Sequence, residues 1–188
     1  LDTKEWILGS SATAGSASYY DSSSAQIIDS FGNTYIVGTA ENGMIFDNIQ
    51  ISNVMGSQTH FIAKLNYSGT WDWVETFLIW GTSNSGGSAS VKDIAIDSQD
   101  NIILVGTYNV YQGSFTIGST NLPTQYSSFI AKISSSGSWQ MVKSIGYSCS
   151  GCSSTISSVD VNSNDEVLVG GHFSNSVYFG SILMQQYQ

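Results

Sequence analysis

The stretch Ile28-Asp29-Ser30-Phe31-Gly32-Asn33-Thr34-Tyr35-Ile36-Val37-Gly38-Thr39 returns 68 residues later as Ile96-Asp97-Ser98-Gln99-Asp100-Asn101-Ile102-Ile103-Leu104-Val105-Gly106-Thr107. The same offset carries Phe61-Ile62-Ala63-Lys64 onto Phe129-Ile130-Ala131-Lys132, Ser68-Gly69 onto Ser136-Gly137, Trp71 onto Trp139 and Val74 onto Val142. One register holding over so many matches marks a duplicated structural unit, and such a period constrains the fold more than any local propensity. A third copy opens at Val161-Asn162-Ser163-Asn164-Asp165-Glu166-Val167-Leu168-Val169-Gly170-Gly171 and reaches Val177-Tyr178-Phe179-Gly180, with no third FIAK segment before Gln188.

Within one unit the local signals are those of strands and tight turns. The runs Ala25 to Asp29 and Thr34 to Thr39, joined by Asp-Ser-Phe-Gly-Asn, predict a hairpin with Gly32 in the left-handed conformation. Asp100 takes that position in the second copy, and Asp tolerates it. A second hairpin joins Phe61 to Asn66 with Thr70 to Phe77 through Tyr67-Ser68-Gly69. Each unit therefore reads as four strands, A to D, with a connection of about 20 residues between B and C, longer than the usual hairpin loop. No segment has an amphipathic helical period with caps. Repeated four-stranded antiparallel units predict an all-β chain of the β-propeller class, each sheet packing face to face on the next. A solenoid would repeat at a shorter period and a sandwich would not repeat.

On this reading residues 24–80 and 90–146 are full blades and 156–188 is a partial one. Residues 1–9, LDTKEWILG, match the WQMVKSIG of 139–146 and are expected to be the outer strand of a preceding blade. Two full blades and two partial ones cannot close a ring. The expectation is a portion of a longer propeller, with self-assembly of copies into a ring as the alternative.

The pattern D-S-x-G-N-x-Y-x-V-G-T followed by F-I-A-K-L-N-x-S-G-x-W resembles the blade signature of the seven-bladed β-propeller repeat family, SBBP. The resemblance covers the first two units along most of their length and the first half of the third. Asp100 in place of Gly, and Asn162, Asp165 and Glu166 in the third copy, depart from the pattern. The resemblance implies a secreted or cell-surface protein of bacterial or archaeal type.

Composition narrows the partners. The net charge is −9, charged residues make up only 10% of the chain, and the five basic residues are all lysines. Without basic clusters there is little to release counterions from a phosphate backbone, so nucleic acid is an unexpected partner, as is an anionic membrane surface. No apolar run approaches the roughly 20 residues that span a bilayer, so no membrane insertion is expected in this segment. The expected partners are other surface proteins or glycans, together with further blades of the same chain or other copies of it.

Candidate sites are few. Asp29, Asp97 and Asp100 lie at the A to B turns, where a carboxylate caps the turn's own amides. A calcium site needs six or more converging oxygens, and DSQDN supplies too few. Lys64 and Lys132, once per unit inside an apolar strand, are expected to pair with Asp29 and Asp97, and Trp71 and Trp139 to pack between sheets. His60 and His172 fall at unrelated repeat positions, with no partner at metal-ligand spacing. No motif nominates a nucleophile, a phosphate loop or a metal. The chain is expected to be no enzyme, with no catalytic residue, metal or cofactor.

The connections from D to A (81–89 and 147–155) and from B to C (40–59 and 108–127) are expected on one face of a propeller, where Phe46, Tyr108, Tyr111 and Tyr126 make a candidate ligand surface. Aromatic rings beside amides suit sugars and also protein contact. A structural, adhesive or protein-interaction role is the leading expectation and a glycan-binding lectin the alternative. Little aromatic repetition between the two B to C connections counts against one sugar site per blade. Asn66-Tyr67-Ser68 is a sequon on an exposed turn, a candidate glycan acceptor. Cys149 and Cys152, in SCSGCS, align with SNSGGS of the preceding loop, so the fold needs no thiol there. With an extracellular location expected, a Cys149–Cys152 disulfide is the expected state.

Overall fold

The computed structural model describes residues 12–14, 22–40, 44–51, 59–80, 87–110, 114–123, 126–146 and 152–185, with backbone alone at 12–14, 78–80 and 126. In chain order the strands are β1 (Ala12–Ala14), β2 (Ser22–Ile28), β3 (Thr34–Ala40), β4 (Met44–Phe46), β5 (Ile49–Ile51), β6 (Thr59–Leu65), β7 (Trp71–Trp80), β8 (Gly87–Ile96) and β9 (Ile102–Val110). They continue as β10 (Ser114–Ile117), β11 (Thr120–Leu122), β12 (Tyr126–Ile133), β13 (Trp139–Ile145), β14 (Ser153–Val161), β15 (Val167–Ser174), β16 (Ser176–Phe179) and β17 (Ile182–Gln185). The described chain is all-β and every pairing is antiparallel.

The repeat in sequence is a repeat in hydrogen bonding. Strands β2, β3, β6 and β7 are consecutive neighbours in one sheet, and β8, β9, β12 and β13 in the next. The first strand of each unit carries a bulge, between Ser23 and Ala25, between Val91 and Asp93, and between Ile156 and Ser158. A second bulge recurs between Lys64 and Leu65 and between Lys132 and Ile133. Each bulge adds a residue to one strand and increases the local right-handed twist, so the units share a twist as well as a strand order.

The three A to B turns are the same turn. Its backbone bonds run from Asp29 N to Asn33 O, Asp97 N to Asn101 O and Asn162 N to Glu166 O, at 2.9, 3.0 and 3.1 Å. Its fourth residue has positive φ in each copy, 85° at Gly32, 59° at Asp100 and 61° at Asp165. The residues in which the third copy departs from the others therefore leave the turn geometry unchanged.

The B to C connection corrects the sequence reading. Instead of one long irregular loop, each holds an additional short hairpin: β4–β5, β10–β11 and β16–β17. These hairpins reach backwards. β10 pairs with β7, the last strand of the preceding unit, placing Ile117 opposite Phe77. Likewise β4 pairs with β1, and Gly146 at the end of β13 donates to the Tyr178 carbonyl of β16 at 3.2 Å.

Apolar side chains fill the spaces between sheets. One core joins Tyr35, Val37, Ile62 and Phe77 of the first sheet to Ile102, Leu104, Phe129 and Ile133 of the second. Another joins Ala95, Ile103 and Val105 of the second sheet to Ile156 and Val159 of the third unit. A third, with Ala40, Phe46, Ile51, Phe61, Ala63 and Trp71, lies on the other face of the first sheet beneath its hairpin. Trp139 meets Phe77 across the first interface, with ring centroids 6.1 Å apart, as expected of a residue packed between sheets. Trp71 stacks edge-on with Phe46 at 4.9 Å, within the core beneath the β4–β5 hairpin.

Candidate functional site

The residues able to carry chemistry gather at the turns, and their geometry there is structural. Asp29 accepts from the Phe31 amide at 2.9 Å, the Asn33 amide at 2.8 Å, Asn33 Nδ2 at 2.7 Å and the Tyr35 hydroxyl at 3.0 Å. Burial raises its pKa, but these four donors outweigh burial and leave it below the usual carboxylate value. Asp97 repeats the pattern with Gln99 and Asn101, and adds Lys132 Nζ at 2.6 Å. Burial again raises the Asp97 pKa, and Lys132, Asn101 and Gln99 reverse the shift. In the third turn the polarity is exchanged. Asn162 Oδ1 accepts from the Asn164 and Glu166 amides, while Asn162 Nδ2 donates to Glu166 at 2.6 Å.

Lys132 thus finds the expected turn carboxylate, and Lys64 does not. Lys64 lies 3.8 Å from Asp72 and donates to the Ser135 carbonyl of the next unit at 3.2 Å. Two residues differ around it: Tyr35, whose hydroxyl donates to the Asp29 carboxylate, stands where the second unit has Ile103, and Asp72, which Lys64 faces, stands where the second unit has Gln140. Burial and the Asp29 carboxylate raise the Tyr35 pKa well above its ordinary value, so it remains a donor.

A second group of polar contacts ties one unit to the next. Asp100 accepts from the Ser30 amide and hydroxyl, and Asp165 accepts from the Ser98 amide and hydroxyl, so the same bridge occurs at both junctions. Trp73 Nε1 joins Lys64 on the Ser135 carbonyl at 3.1 Å. Asp93 accepts from the Val159 amide of the third unit at 2.9 Å, and the Ser128 hydroxyl accepts from the Ile156 amide at the same distance.

His60 is a core residue, 2% exposed, with its ring stacked on Phe77 at 5.4 Å. Its Nδ1 lies 3.3 Å from the Thr39 hydroxyl and its Nε2 has no partner. Burial lowers its pKa to about 4. Among the described residues no group of three or more His, Cys, Asp or Glu side chains is placed to share a metal ion.

Two of the four rings of the ligand surface expected at the B to C connections are described, and both are buried. Phe46 and Tyr108 are each 1% exposed. Phe46 packs on Phe61 and Trp71, and Tyr108 packs on Phe115 with its hydroxyl 2.7 Å from that of Ser144. Both are buried because the unexpected hairpins lie over the sheets. Tyr111 and the Tyr126 side chain lie outside the described residues. Among the described residues the most exposed rings are Phe31 and Tyr67, 75% and 71% exposed, on an A to B and a C to D turn of the same unit, and Tyr178 and Phe179 of β16 are exposed to a lesser degree. The Tyr67 amide donates to Asn33 at 3.1 Å, which sets these two turns side by side. Asn66, the sequon residue, caps its turn by accepting from the Ser68 and Thr70 amides, and its Nδ2 donates to Asp72 at 2.7 Å. Cys152 precedes β14 and is half-buried, and Cys149 lies outside the described residues.

One cavity of about 390 Å³ opens at the third unit, lined by Ile145, Thr155, Gly171, Val177, Phe179 and Met184 among others. No helix among the described residues is long and apolar enough to cross a membrane. No protein-family model matches the chain, and no curated protein matches it.

Proposed function

We propose that this chain forms blades of a β-propeller of the SBBP type, secreted or held at the cell surface, with a structural, adhesive or protein-interaction role and no catalysis. The observation that carries the architecture is the serine–aspartate bridge repeated from turn to turn, Ser30 to Asp100 and Ser98 to Asp165. A bridge between equivalent turns, used twice in succession, fits units related by one repeated step. First strands that lie beside one another, β2 near β8 and β8 near β14, fit a step taken about an axis close to those strands.

The structural role is supported by how the reactive groups are engaged. Asp29, Asp97 and Lys132 hold turns, Asp93, Asp100 and Asp165 hold units together, and His60 is stacked inside the core. Its partners are other surface proteins, or further blades of the same kind. Cys149 and Cys152 form a disulfide that tightens the loop before β14. The removed loop entropy is small, so it contributes below about 2 kcal/mol. Resistance of both thiols to alkylation until a reductant is added tests this, and labelling of the untreated protein contradicts it.

Exposure of Phe31 and Tyr67 favours a second reading, glycan binding through those two rings rather than through Phe46 and Tyr108. A glycan array run on the chain and on a Phe31→Ala/Tyr67→Ala variant separates the two readings. The structural role predicts no reproducible sugar signal. A signal lost in the variant establishes a lectin.

A further inference from the structure

The two junctions between units carry different residues at the same place. In the second junction the Ser128 hydroxyl accepts from the Ile156 amide of the third unit at 2.9 Å. Ser154 donates to the Ile145 carbonyl at 2.7 Å and accepts from the Ser128 amide at 3.2 Å, and Ser127 donates to the same carbonyl at 2.6 Å. Three hydroxyls therefore close that end of the second junction. In the first unit Thr59 and His60 stand where the second has Ser127 and Ser128. The matching bulges of β8 and β14 put Val91 in the place of Ile156, and hence Ala89 in that of Ser154.

The hydroxyl bonds are lost with this exchange. Among the described residues Thr59 Oγ1 and His60 Nε2 have no hydrogen-bond partner, and Ala89 has no hydroxyl to offer. The His60 ring lies instead in the seam between units, 2% exposed and stacked on Phe77 at 5.4 Å with the ring planes 13° apart. His60 and Phe77 are opposite one another in the β6–β7 ladder and so share a sheet face. Phe77 meets Phe115 at 6.5 Å and Trp139 at 6.1 Å, both from the second unit, and pairs with Ile117 of β10.

A proton added to this ring finds no ionised carboxylate free to receive it. On β7 the ionisable group of that face is Glu75. Burial raises its pKa above the ordinary value, so near pH 4.5 it holds its own proton and offers His60 little charge. On β6 Lys64 faces Asp72 and the Ser135 carbonyl, and on β3 Tyr35 donates to Asp29. Across the seam, Asp93 of β8 accepts from the Val159 amide, Lys92 is exposed, and β10 has no ionisable residue. Burial alone lowers the His60 pKa, to about 4.

We propose that His60 makes the first junction an acid-released seam: a proton on the buried ring parts Phe77 from the second unit, while the second junction, with Ser128 in that place, stays closed. The charged ring regains hydration only by leaving its stack. Because Phe77 pairs with Ile117, the release loosens the β7–β10 pairing and bares Phe77 and Phe115. The Asp29 and Asp97 carboxyls lie below the usual carboxylate value, so the turns keep their ionised caps over the same range. A histidine whose closed-state pKa is depressed favours opening as pH falls from 6.5 toward 4. Glu75 titrates in the opposite sense, and Glu75→Gln isolates the histidine.

Amide hydrogen exchange at pH 7 and pH 4.5, corrected for the intrinsic rate, tests this on the whole chain and on Glu75→Gln. With a pKa of about 4 closed and 6.5 open, the amides of the β7–β10 pairing are expected to lose about 60-fold in protection in Glu75→Gln, and less in the unaltered chain. The Ile156 amide and those of the β2–β3 pairing are expected to keep theirs. In His60→Phe the loss at β7–β10 is expected to disappear, and His60→Ser, which installs the residue of the second unit, serves if the larger ring does not fit. Unchanged β7–β10 protection in Glu75→Gln, or the same loss in the His60 variants, overturns the proposal. An equal loss at β2–β3, β7–β10 and Ile156 means that acid unfolds the chain as a whole, and also overturns it.

Discussion

The Asp100 carboxylate reaches from its own turn to the preceding one, accepting from the Ser30 amide at 3.0 Å and the Ser30 hydroxyl at 2.8 Å. Asp100 has a φ of 59°, a conformation that glycine adopts without cost and that Gly32 adopts in the first unit. An aspartate there gives up some local comfort for a bond between units. Asp100→Gly and Asp100→Ala therefore separate the two effects. Both lose the bridge, and only Ala keeps the strain. A double-mutant cycle of Ser30→Ala with Asp100→Asn is expected to give a coupling of about 0.5–1.5 kcal/mol in urea unfolding, near the ordinary value for a hydrogen bond at an exposed site.

At the second junction the readout is titration. The Ser98 hydroxyl and amide lower the Asp165 pKa. Ser98→Ala removes the hydroxyl, so the Asp165 carboxyl resonance is expected to titrate at higher pH in the variant. An unchanged titration would mean that the bridge is not made in solution.

Lys132 and Lys64 occupy equivalent positions and are expected to differ in worth. Lys132 lies 2.6 Å from a buried carboxylate, Asp97, and Lys64 lies 3.8 Å from the more exposed Asp72. Lys132→Met is expected to cost about 1–3 kcal/mol, as for a hydrogen bond to a charged group, and Lys64→Met less. The folded pKa of Asp97 is depressed, so its contribution is present above the unfolded carboxylate pKa and lost as pH falls through the folded one. In Lys132→Met the folded pKa rises toward the unfolded one, so that loss is smaller and complete at a higher pH, which acid titration of stability measures.

His60 has the opposite chemistry and the same direction of pH dependence. Its folded pKa of about 4 lies below the 6.5 of an unperturbed histidine. Between those values the unfolded chain binds a proton that the folded chain refuses, so stability falls as pH drops from 6.5 toward 4. The full loss approaches about 3 kcal/mol. His60→Phe keeps an aromatic ring against Phe77 and is expected to abolish that segment of the pH profile, read by urea midpoints at pH 7 and pH 4.5.

Gly106→Ala is expected to cost more than about 2 kcal/mol, since the new methyl would meet both the Ser90 carbonyl and the Phe129 ring. Partial relief by Phe129→Leu in the same chain would identify the ring as the obstacle. Thermal unfolding of the single and double variants measures it.

The parts legible in the sequence are those whose residues repeat in register. The A to B and C to D turns were marked by Asp29, Gly32 and Asn33 and by Ser68 and Gly69, and the strands around them lie within a few residues of the expected bounds. The third hairpin of each unit was marked only by a two-residue turn between apolar runs, Asp47-Asn48, Gly118-Ser119 and Gly180-Ser181. Those residues do not recur at the 68-residue offset, so comparison of the chain with itself passes over them. The pairing of β10 with β7 of the preceding unit is a non-local contact that no short segment encodes. The same hairpins account for the burial of Phe46 and Tyr108, which the sequence places on an open ligand face. Lys64 meets a different carboxylate from the expected one where the repeat is inexact: Tyr35 against Ile103 places a hydroxyl on Asp29, and Asp72 against Gln140 puts a second carboxylate beside Lys64.

The most direct test of the account is an experimental structure of the chain and the rigid-body operation that relates its units. Superposing residues 22–80 on 90–145, and the β8–β9 hairpin on β14–β15, gives two operations. The account predicts that they are the same rotation about one axis running near β2, β8 and β14, of about 45–90° as a ring of four to eight sheets requires. Two unequal operations, or a translation along a stack with little rotation, would contradict it.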